Sequence, residues 1–578
     1  MKSLLIYLKD YRRESVLGPL FKLLEASFEL FVPLVVASMI DVGIAQGNKG
    51  YIVKMCGVLV LLAAVGLICS VTAQYFAAKA AVGFSTGVRY ALFSHIQSLS
   101  FAEMDTIGTS TLITRLTSDI NQVQSGINLV LRLFLRSPFI VFGAMIMAFT
   151  VNVRAALVFV VTIPLLSLVV FGIMLLTMPL YKKVQKGLDI VLGHTRENLS
   201  GARVLRAFHK EEDETETFGR DNQRLTDMQL LVGRLSALTN PLTFIIVNVS
   251  TVAVIWIAGG QVYEGIITQG EVVALVNYMS QILVELVKMA NLIMNITKSL
   301  ACASRIEDVM KTDSSLSDGK QEEKRDPSRE FIEFSHVSMT YAGAGEEALT
   351  DIDFAVKKGQ TVGIIGGTGS GKSTLVQLIP RYYDASEGAV YVDGRNVRDY
   401  SLAGLRSMVG VVLQKAELFA GTIEDNLRWG KADATEEEMW KALELAQASD
   451  VVRSKEDGLK SRVEEGGKNL SGGQKQRLTI ARALIRDPQI LILDDSASAL
   501  DFATDARLRQ ALKSLKGEKT IFIVSQRTSS LQFADQIIVL DDGAVAGIGT
   551  HEQLLESCEV YREIYESQFR REDAGKEV

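Results

Sequence analysis

Long uncharged apolar stretches dominate the first half of the chain. Four of them contain no Asp, Glu, Lys or Arg: residues 55–78, 137–153, 155–181 and 235–263. About 20 apolar residues in a helix cross the hydrocarbon core of a bilayer. Two weaker stretches, 15–43 and 271–302, are also long enough if their few charges face protein or water. The pattern predicts six membrane-spanning helices.

The connections between these stretches alternate between short and long. Tight turns are predicted near residues 46–50, 151–154 and 264–270, whereas residues 82–132 and 182–234 form long connections with a helical pattern. The long connections are rich in basic residues, among them Lys182, Lys183, Lys186, Arg203, Arg206 and Lys210. By the positive-inside rule they lie in the cytoplasm, which also places the N-terminus there.

Residues 1–14 form a separate amphipathic segment. Leu4, Leu5, Leu8 and Tyr11 share one helical face, and basic residues lie largely elsewhere. This pattern predicts an interfacial helix before the first span. The alternative, a cleaved signal peptide, is disfavoured because a long apolar region follows without a convincing A-x-A cleavage site.

The second half of the chain has a different pattern. Residues 304–330 are interpreted as a linker, since 311–330 are strongly polar and charged, and a soluble domain is predicted from 331 to 578. There, short β-branched runs alternate with helical segments, which indicates an α/β domain with a largely parallel sheet. The predicted strands are 361–365, 410–413, 490–493, 520–524 and 536–540. The fold class is therefore an α-helical transmembrane bundle (15–303) followed by an α/β domain.

Length, charge and cysteine content exclude several classes of protein. A chain of 578 residues exceeds a single compact domain. With 61 Lys and Arg against 67 Asp and Glu, the net charge is -6, so nucleic acid is not an expected partner. The four cysteines are far apart and form no CxxC, which argues against a disulfide scaffold or a zinc site.

A phosphate-binding loop follows the first predicted strand of the soluble domain. The residues Gly366, Gly367, Thr368, Gly369, Ser370, Gly371, Lys372 and Ser373 satisfy G-x-x-x-x-G-K-[ST], and Thr374 continues into a predicted helix. The glycines let backbone N–H groups face phosphate oxygens. Lys372 is predicted to reach the β- and γ-phosphates of a nucleotide, and Ser373 to offer its hydroxyl to Mg²⁺.

A second motif lies at the end of the strand at 490–493. The apolar run is followed by Asp494 and Asp495. The first carboxylate is predicted to hold Mg²⁺ through water, and the second to orient the attacking water. After a phosphate-binding loop, such a strand is a Walker B candidate.

The residues Leu470, Ser471, Gly472, Gly473 and Gln474, followed by a helix, strongly resemble the signature of ATP-binding cassette (ABC) proteins. With six predicted spans before it, almost the whole chain resembles a half-transporter of the ABC exporter type. The resemblance implies that Ser471 to Gln474 face the ATP held by the opposite cassette. It also implies that Tyr341 stacks on adenine, that Gln414 senses Mg²⁺ and the membrane domain, and that residues 498–501 form the D-loop.

Two positions depart from the family pattern. The family usually has Glu after the Walker B Asp, where this chain has Asp495, and His at the switch, where it has Gln526. A well-placed general base contributes roughly 10²- to 10⁴-fold to the rate. This chain is therefore expected to bind ATP and Mg²⁺ but to hydrolyse ATP slowly. It resembles the degenerate-site subunit of heterodimeric bacterial multidrug exporters, with a partner subunit that supplies Glu and His.

The resemblance implies ATP-driven export of small lipophilic or drug-like compounds across the cell membrane, with a cytoplasmic cassette. Lipid flipping, peptide export, an ATP-gated channel or regulatory subunit, and a soluble P-loop enzyme are the alternatives. Residues 110–124 and 203–218 resemble the family's coupling regions. Within the spans, Glu25, Glu29 and Glu285 are interpreted either as substrate contacts or as members of internal ion pairs; for Arg132 and Arg136 an ion pair or a position near the cytoplasmic end is favoured.

Overall fold

The computed structural model describes residues 3–319 and 326–574. It consists of two compact units. The first comprises Met1–Gln97 and Ser110–Thr312, and the second comprises Ser98–Thr109 and Asp313–Val578. Of the predicted linker, residues 320–325 lie outside the described part. Its first residues, 304–310, are not a linker, because the last long helix runs to Met310.

The first unit is helical. In the described part of the chain, six helical segments are long and apolar enough to cross a membrane, as the hydrophobic pattern predicts. They are Leu4–Ile44, Lys49–Ser98, Thr109–Val151, Val153–Ser200, Glu211–Tyr263 and Gln269–Met310. The predicted interfacial segment is a 3₁₀ helix at Leu4–Tyr11, and it leads directly into the first α-helix without a break.

The described residues up to Met310 form eleven α-helices, nine of them within these six segments and two in the connections between them. Their bounds are α1 Arg12–Ser38, α2 Lys49–Ser98, α3 Phe101–Ile107, α4 Thr109–Thr114, α5 Ile120–Leu133, α6 Arg136–Val151, α7 Val153–Ser200, α8 Ala202–Ala207, α9 Glu211–Ala237, α10 Thr239–Tyr263 and α11 Gln269–Met310. Short π-helical turns follow α1 at Met39–Ile44 and join α4 to α5 at Arg115–Asp119. The side chains of Asn152 and Thr268 cap α7 and α11, which explains two of the predicted tight turns.

The longest helices extend well beyond a bilayer. α2 has 50 residues and α7 has 48. At 1.5 Å per residue each exceeds 70 Å, more than twice the roughly 30 Å of a hydrocarbon core. The long predicted connections are therefore continuations of the spanning helices, as their helical pattern indicates.

Small residues let the membrane helices approach closely. Ala26, Ala144 and Ala274 are fully buried in one apolar cluster, as expected where helices pack within lipid. The largest side chain in this cluster, Tyr278, is also fully buried, and its hydroxyl donates a hydrogen bond of 2.7 Å to the Leu30 carbonyl. This bond satisfies the polar end of an otherwise apolar contact between α1 and α11.

The described residues of the second unit form twelve strands in three sheets. Their bounds are β1 Ile332–Met339, β2 Leu349–Val356, β3 Thr361–Gly366, β4 Glu387–Val392, β5 Arg395–Asn396, β6 Val409–Val412, β7 Gly421–Thr422, β8 Arg462–Val463, β9 Ile490–Asp494, β10 Thr520–Val524, β11 Gln536–Asp541 and β12 Ala544–Gly549. A six-stranded sheet has the order β12-β11-β3-β10-β9-β6 and is parallel except for its β12 edge. The five predicted strands are thus all present.

A second, antiparallel sheet has the order β2-β1-β4-β5. Its residues, with Phe334 and Val390 among them, form one apolar core with one face of the parallel sheet. Two helices pack in this same core, α12 Lys372–Leu378 and α13 Leu402–Met408. The opposite face of the parallel sheet packs in a second core with the remaining helices, which are α14 Ile423–Arg428, α15 Glu436–Leu445, α16 Ser449–Arg453, α17 Gly472–Leu484, α18 Phe502–Lys513, α19 His551–Ser557 and α20 Glu559–Ala574.

A short piece of the N-terminal half belongs to this second unit. The side chain of Ser100 caps α3 in a capping box with Glu103. The Phe101 ring lies 4.8 Å from that of Tyr382, and the Tyr383 hydroxyl donates a 2.5 Å hydrogen bond to Asp105. The segment that packs with the soluble domain is Ser98–Thr109. The predicted coupling region at 110–124 therefore begins too late in the chain.

Candidate nucleotide site and intramembrane charge cluster

Three neighbouring parallel strands bring the predicted catalytic motifs together. Val524 of β10 is in register with Asp494 of β9 and with Ile364 of β3. Because parallel strands end at the same edge of a sheet, the residues that follow all three converge there. The phosphate-binding loop, the two aspartates and Gln526 therefore surround one small cavity. Its volume is about 130 Å³, and it is lined by Thr368, Gly369, Lys372, Ser373, Gln414, Asp494, Asp495, Val524, Ser525 and Gln526.

The glycines of the loop are required by its backbone. Gly371 has a φ of +88°, and a Cβ at this position would lie 2.6 Å from the Ala348 carbonyl oxygen. A Cβ at Gly366 would lie 2.1 Å from the carbonyl oxygen of Leu540. These contacts explain why the loop can turn sharply between β3 and α12 only with glycine at both ends.

Lys372 lies over the loop. Its ammonium donates a hydrogen bond of 3.0 Å to the Gly366 carbonyl and another to that of Gly367. Burial lowers the pKa of Lys372, and the nearby Asp495 and Asp494 carboxylates partly offset this. An ammonium held over a glycine loop is placed to meet phosphate oxygens.

Ser373 and Asp494 form a pair of oxygen donors. The Ser373 hydroxyl donates a 3.1 Å hydrogen bond to Asp494 Oδ1. Burial raises the pKa of Asp494, and the bond from Ser373 works against that shift. Hydroxyl and carboxylate oxygens are the ligands that Mg²⁺ prefers, so this pair suits that cation.

Asp495 follows β9 in a left-handed conformation with a φ of +44°. Its backbone N–H donates to the Val524 carbonyl at 3.0 Å, and its carboxylate lies 3.5 Å from the Gln414 amide nitrogen. Burial raises the pKa of Asp495, while Arg527 and Lys372 lower it. Gln526 lies on the same cavity, and no histidine is among the described residues that line it. Both departures from the family pattern thus lie at the same cavity.

The signature residues lie apart from this cavity. Ser471 accepts a hydrogen bond from the Gln474 amide and donates its own N–H to the Gln474 side chain, which closes a capping box at the start of α17. Ser471 and Gly472 are exposed. None of the residues Ser471, Gly472, Gly473 and Gln474 lines the phosphate-loop cavity. A Cβ at Gly473 would lie 3.0 Å from the Ala499 carbonyl, so the predicted D-loop packs beside the signature.

Tyr341 is half-buried and does not line the phosphate-loop cavity. Its hydroxyl is 2.9 Å from that of Thr374, and its ring meets Tyr383 edge to face at 5.2 Å between centroids. Burial raises the pKa of Tyr341. Its predicted contact with adenine stays a prediction, and Thr374 positions the tyrosine through this hydroxyl contact.

Sequence reasoning missed Gln568 of α20. Its side-chain oxygen accepts hydrogen bonds of 3.0 Å from both the N–H and the hydroxyl of Thr528, and its amide donates a 2.7 Å bond to the Gln526 carbonyl. Tyr561, Ile564 and Gln568 share one face of α20, on which Tyr561 is fully buried. The sequence signal for this residue was its position in line with the apolar residues Tyr561 and Ile564 on one face of the helix. Gln568 holds the backbone of the switch segment.

We expect Gln568→Met to destabilise the α/β domain by about 1–3 kcal/mol, since it leaves the buried Thr528 N–H and hydroxyl without this acceptor. The measurement is the thermal midpoint of the purified full-length chain. Ser567→Ala is the matched control, because the Ser567 hydroxyl is exposed and donates to the Ile564 carbonyl of its own helix. Equal midpoints for the two variants would contradict the positioning role of Gln568.

The intramembrane charges form ion pairs. Arg136 donates to Glu29 at 2.6 Å and to Glu285 at 2.7 Å, and Lys288 donates to Glu285 at 2.9 Å. Glu25 pairs with Lys22 at 2.6 Å. All three glutamates therefore take part in ion pairs, as one of the two interpretations expects, and Arg136 is internally paired as expected.

We expect Glu285→Leu to destabilise the membrane unit strongly. It removes one of the two carboxylates that neutralise the buried Arg136, and breaking a buried pair typically costs about 3–5 kcal/mol. The double variant Arg136→Leu with Glu285→Leu should lose less than the two single losses combined. The readout is thermal unfolding in detergent, with Glu264→Leu as an exposed control. Strict additivity would refute the pairing.

Fold and site together define a class: a six-span helical membrane domain fused to a P-loop ATPase domain. The family model described as ABC transporter transmembrane region matches residues 15–286, and the one described as ABC transporter matches 349–498. The chain belongs to the ABC transporter family, and its full-length relatives are exporter half-transporters. It is accordingly an ATPase-coupled transporter and a multi-pass membrane protein.

Three relatives illustrate the range of the family. The ABC transporter ATP-binding protein YfiB of Bacillus subtilis is 37% identical over 576 residues, which cover 99% of each chain. YgaD of the same organism, named as a multidrug export ATP-binding/permease protein, is 32% identical over 578 residues, 99% of this chain and 98% of YgaD. The ATP-dependent lipid A-core flippase of Desulfotalea psychrophila is 32% identical over 480 residues, 83% of this chain and 84% of the flippase.

Proposed function

We propose that the chain is one half of a heterodimeric exporter that moves small lipophilic or drug-like compounds out of the cell, with a hydrolysis-impaired ATP site of its own. The observation that carries this proposal is the position of Asp495 and Gln526. Both line the cavity that also contains Lys372 and Ser373. The two changed residues therefore act on the same phosphate group that the intact loop would hold.

In this proposal the loop residues Gly366 to Thr374 bind the phosphates, and Tyr341 receives the adenine. Ser373, Gln414 and Asp494 hold Mg²⁺, which would neutralise charge on the phosphates. Asp495 is one methylene shorter than the family's glutamate, so its carboxylate reaches less far toward an attacking water. Gln526 offers an amide, which cannot take up a proton near neutral pH as an imidazole does. Binding is thereby retained while hydrolysis is slow.

The signature residues support the proposed pairing with a second, different subunit. Ser471 and the adjoining glycines are intact, exposed and absent from the chain's own cavity. They are therefore available to complete a nucleotide site of another subunit. The simplest assignment for this other subunit is a different half-transporter that carries Glu and His at the matching positions. The N-terminus and the ATPase domain lie in the cytoplasm of a bacterial cell in this scheme.

Lipid flipping is the second candidate, favoured by the relative that is named a lipid A-core flippase. Both candidates are tested in inverted membrane vesicles that contain the chain and its co-purified subunit. ATP-dependent accumulation of a hydrophobic fluorescent dye supports drug export. Accumulation of a labelled lipid alone in the inner leaflet of these vesicles supports flipping. A passive ion current without accumulation of either would overturn export in favour of a channel.

A further inference from the structure

A cavity of about 470 Å³ lies between α1 and α11 in the membrane unit. This volume is in the range of small-molecule sites. Part of its lining is apolar, formed by Val32, Pro33, Val36, Ile140 and Val284. The polar part of the lining consists of Glu29, Asn277, Ser280, Gln281, Glu285 and Lys288. The cavity thus offers both apolar and charged side chains to one occupant.

The charged lining residues belong to a chain of alternating charges that also includes the buried Arg136, which does not itself line the cavity. From one end to the other it runs Lys288, Glu285, Arg136, Glu29, linked by ion pairs of 2.9, 2.7 and 2.6 Å. The two inner side chains are almost completely buried, at 4% exposure for Glu285 and 8% for Arg136. The Ser137 hydroxyl, at 2.8 Å, occupies the second oxygen of Glu285. Both oxygens of Glu285 are therefore occupied within the protein, and the two terminal nitrogens of Arg136 are held by Glu285 and Glu29, while its Nε has no partner among the described residues.

The outer two charges differ from the inner pair. The side chains of Glu29 and Lys288 remain 43% and 45% exposed. Glu29 lies near the middle of the apolar stretch 15–43, and Lys288 near the middle of 271–302. Charges at such positions are costly and are usually retained for a function. Each outer side chain makes one ion pair with the inner pair, yet both line the cavity and keep almost half of their surface exposed, so they can also contact an occupant.

The signs of the outer charges define the ligand. The cavity presents one carboxylate and one ammonium, and the four-residue chain has no net charge. A simple cation would pair with Glu29 but would be repelled by Lys288. A simple anion would pair with Lys288 but would be repelled by Glu29. A molecule that carries both charges can pair with each end and place an apolar body against the apolar lining residues.

We propose that this cavity binds an amphipathic zwitterion, with its anionic group at Lys288 and its cationic group at Glu29. The inference rests on the proposed export function and names the substrate class for it. A zwitterionic lipid headgroup and a water-soluble zwitterionic drug share this chemistry. The experiment below separates the two sources.

The test uses the full-length chain with its co-purified subunit in inverted vesicles. The probes are acyl-labelled phosphatidylethanolamine and ciprofloxacin as zwitterions, with acyl-labelled phosphatidylglycerol as the anion and a lipophilic cationic dye as the cation. Lys288→Gln and Glu29→Gln are compared with Lys298→Gln. Lys298 is an exposed lysine of the same helix that does not line the cavity, so it controls for charge and helix position.

We expect wild type to transport a zwitterion at the lowest half-saturating concentration among the probes. Each cavity variant should raise that concentration about tenfold, the equivalent of one lost charge-assisted hydrogen bond. Lys288→Gln should shift preference toward the cation and Glu29→Gln toward the anion, whereas Lys298→Gln should match wild type. Opposite shifts in preference are not produced by a general structural defect.

The outcomes distinguish failure of the proposed export from failure of the proposed zwitterion site. Transport of phosphatidylethanolamine alone identifies the lipid source, and transport of ciprofloxacin alone identifies the drug source. If wild type transports none of the probes, the proposed export of amphiphiles fails. If wild type transports them but both cavity variants keep its half-saturation and preference, export stands and the zwitterion site is wrong.

Discussion

Ser471→Ala is expected to lower ATP turnover of the assembled transporter about a hundredfold, the typical effect of removing one preorganised donor from a reacting oxyanion. In the proposed heterodimer, Ser471 completes the catalytic site of the partner, although it lies outside this chain's own phosphate-loop cavity. Asp495→Asn should reduce turnover only a few-fold, because that site is already slow. The order of the two effects follows from which residues are intact and which are changed.

The measurement is the ATPase rate at saturating ATP for the chain co-purified with its partner. Ser401→Ala is the matched control, since Ser401 also caps a helix of the same domain through its hydroxyl. It reports the cost of losing a helix cap without a role at a nucleotide. A rate near wild type for Ser471→Ala together with abolished turnover for Asp495→Asn would contradict the asymmetric assignment.

Lys372→Ala is expected to weaken nucleotide binding at this chain's own site at least tenfold. It removes the ammonium that lies over the loop at Gly366 and Gly367, and a hydrogen bond to a charged group contributes about 1.5–3 kcal/mol. Photolabelling of this chain by an ATP analogue measures the effect. The control is Lys441→Ala, an exposed lysine of α15. Unchanged labelling of Lys372→Ala would show that the loop does not hold this chain's nucleotide.

The parallel sheet was predictable because its strands are buried on both faces and read as continuous apolar runs. The strand at Thr520–Val524 has the predicted bounds, and β9 is one residue longer than predicted because Asp494 still pairs with Val524. The antiparallel sheet was not predicted. Its strand β1 is interrupted by register shifts near Val337, and its burial does not follow a simple alternation.

The nucleotide site was predictable for a different reason. The glycine pattern of a phosphate-binding loop reflects backbone conformation and is not produced by the packing of a core. The motifs that follow the neighbouring strands then meet the loop at one edge of the sheet. Gln568 was not predictable, because its partner Thr528 is 40 residues away and only the docking of α20 joins them. The same holds for Arg136, whose pairing with Glu29 and Glu285 depends on how three helices pack.

The segment that packs with the soluble domain was predicted in the right connection but about ten residues too late. Residues 110–124 have the more conspicuous polar helix pattern. The observed contact depends instead on Phe101 and Asp105, which meet Tyr382 and Tyr383. A single exposed aromatic residue in a seven-residue helix gives little signal in sequence, whereas its partner rings become evident only in three dimensions.

The composition of the assembled transporter tests the heterodimer most directly. Two copies of this chain with different affinity tags would be expressed in its native cell, and the complex would be purified sequentially on both tags and then on one. The account predicts that no complex carries both tags, and that the singly purified complex contains a second half-transporter with Glu and His at the positions of Asp495 and Gln526. A complex that carries both tags and lacks any other subunit would contradict it.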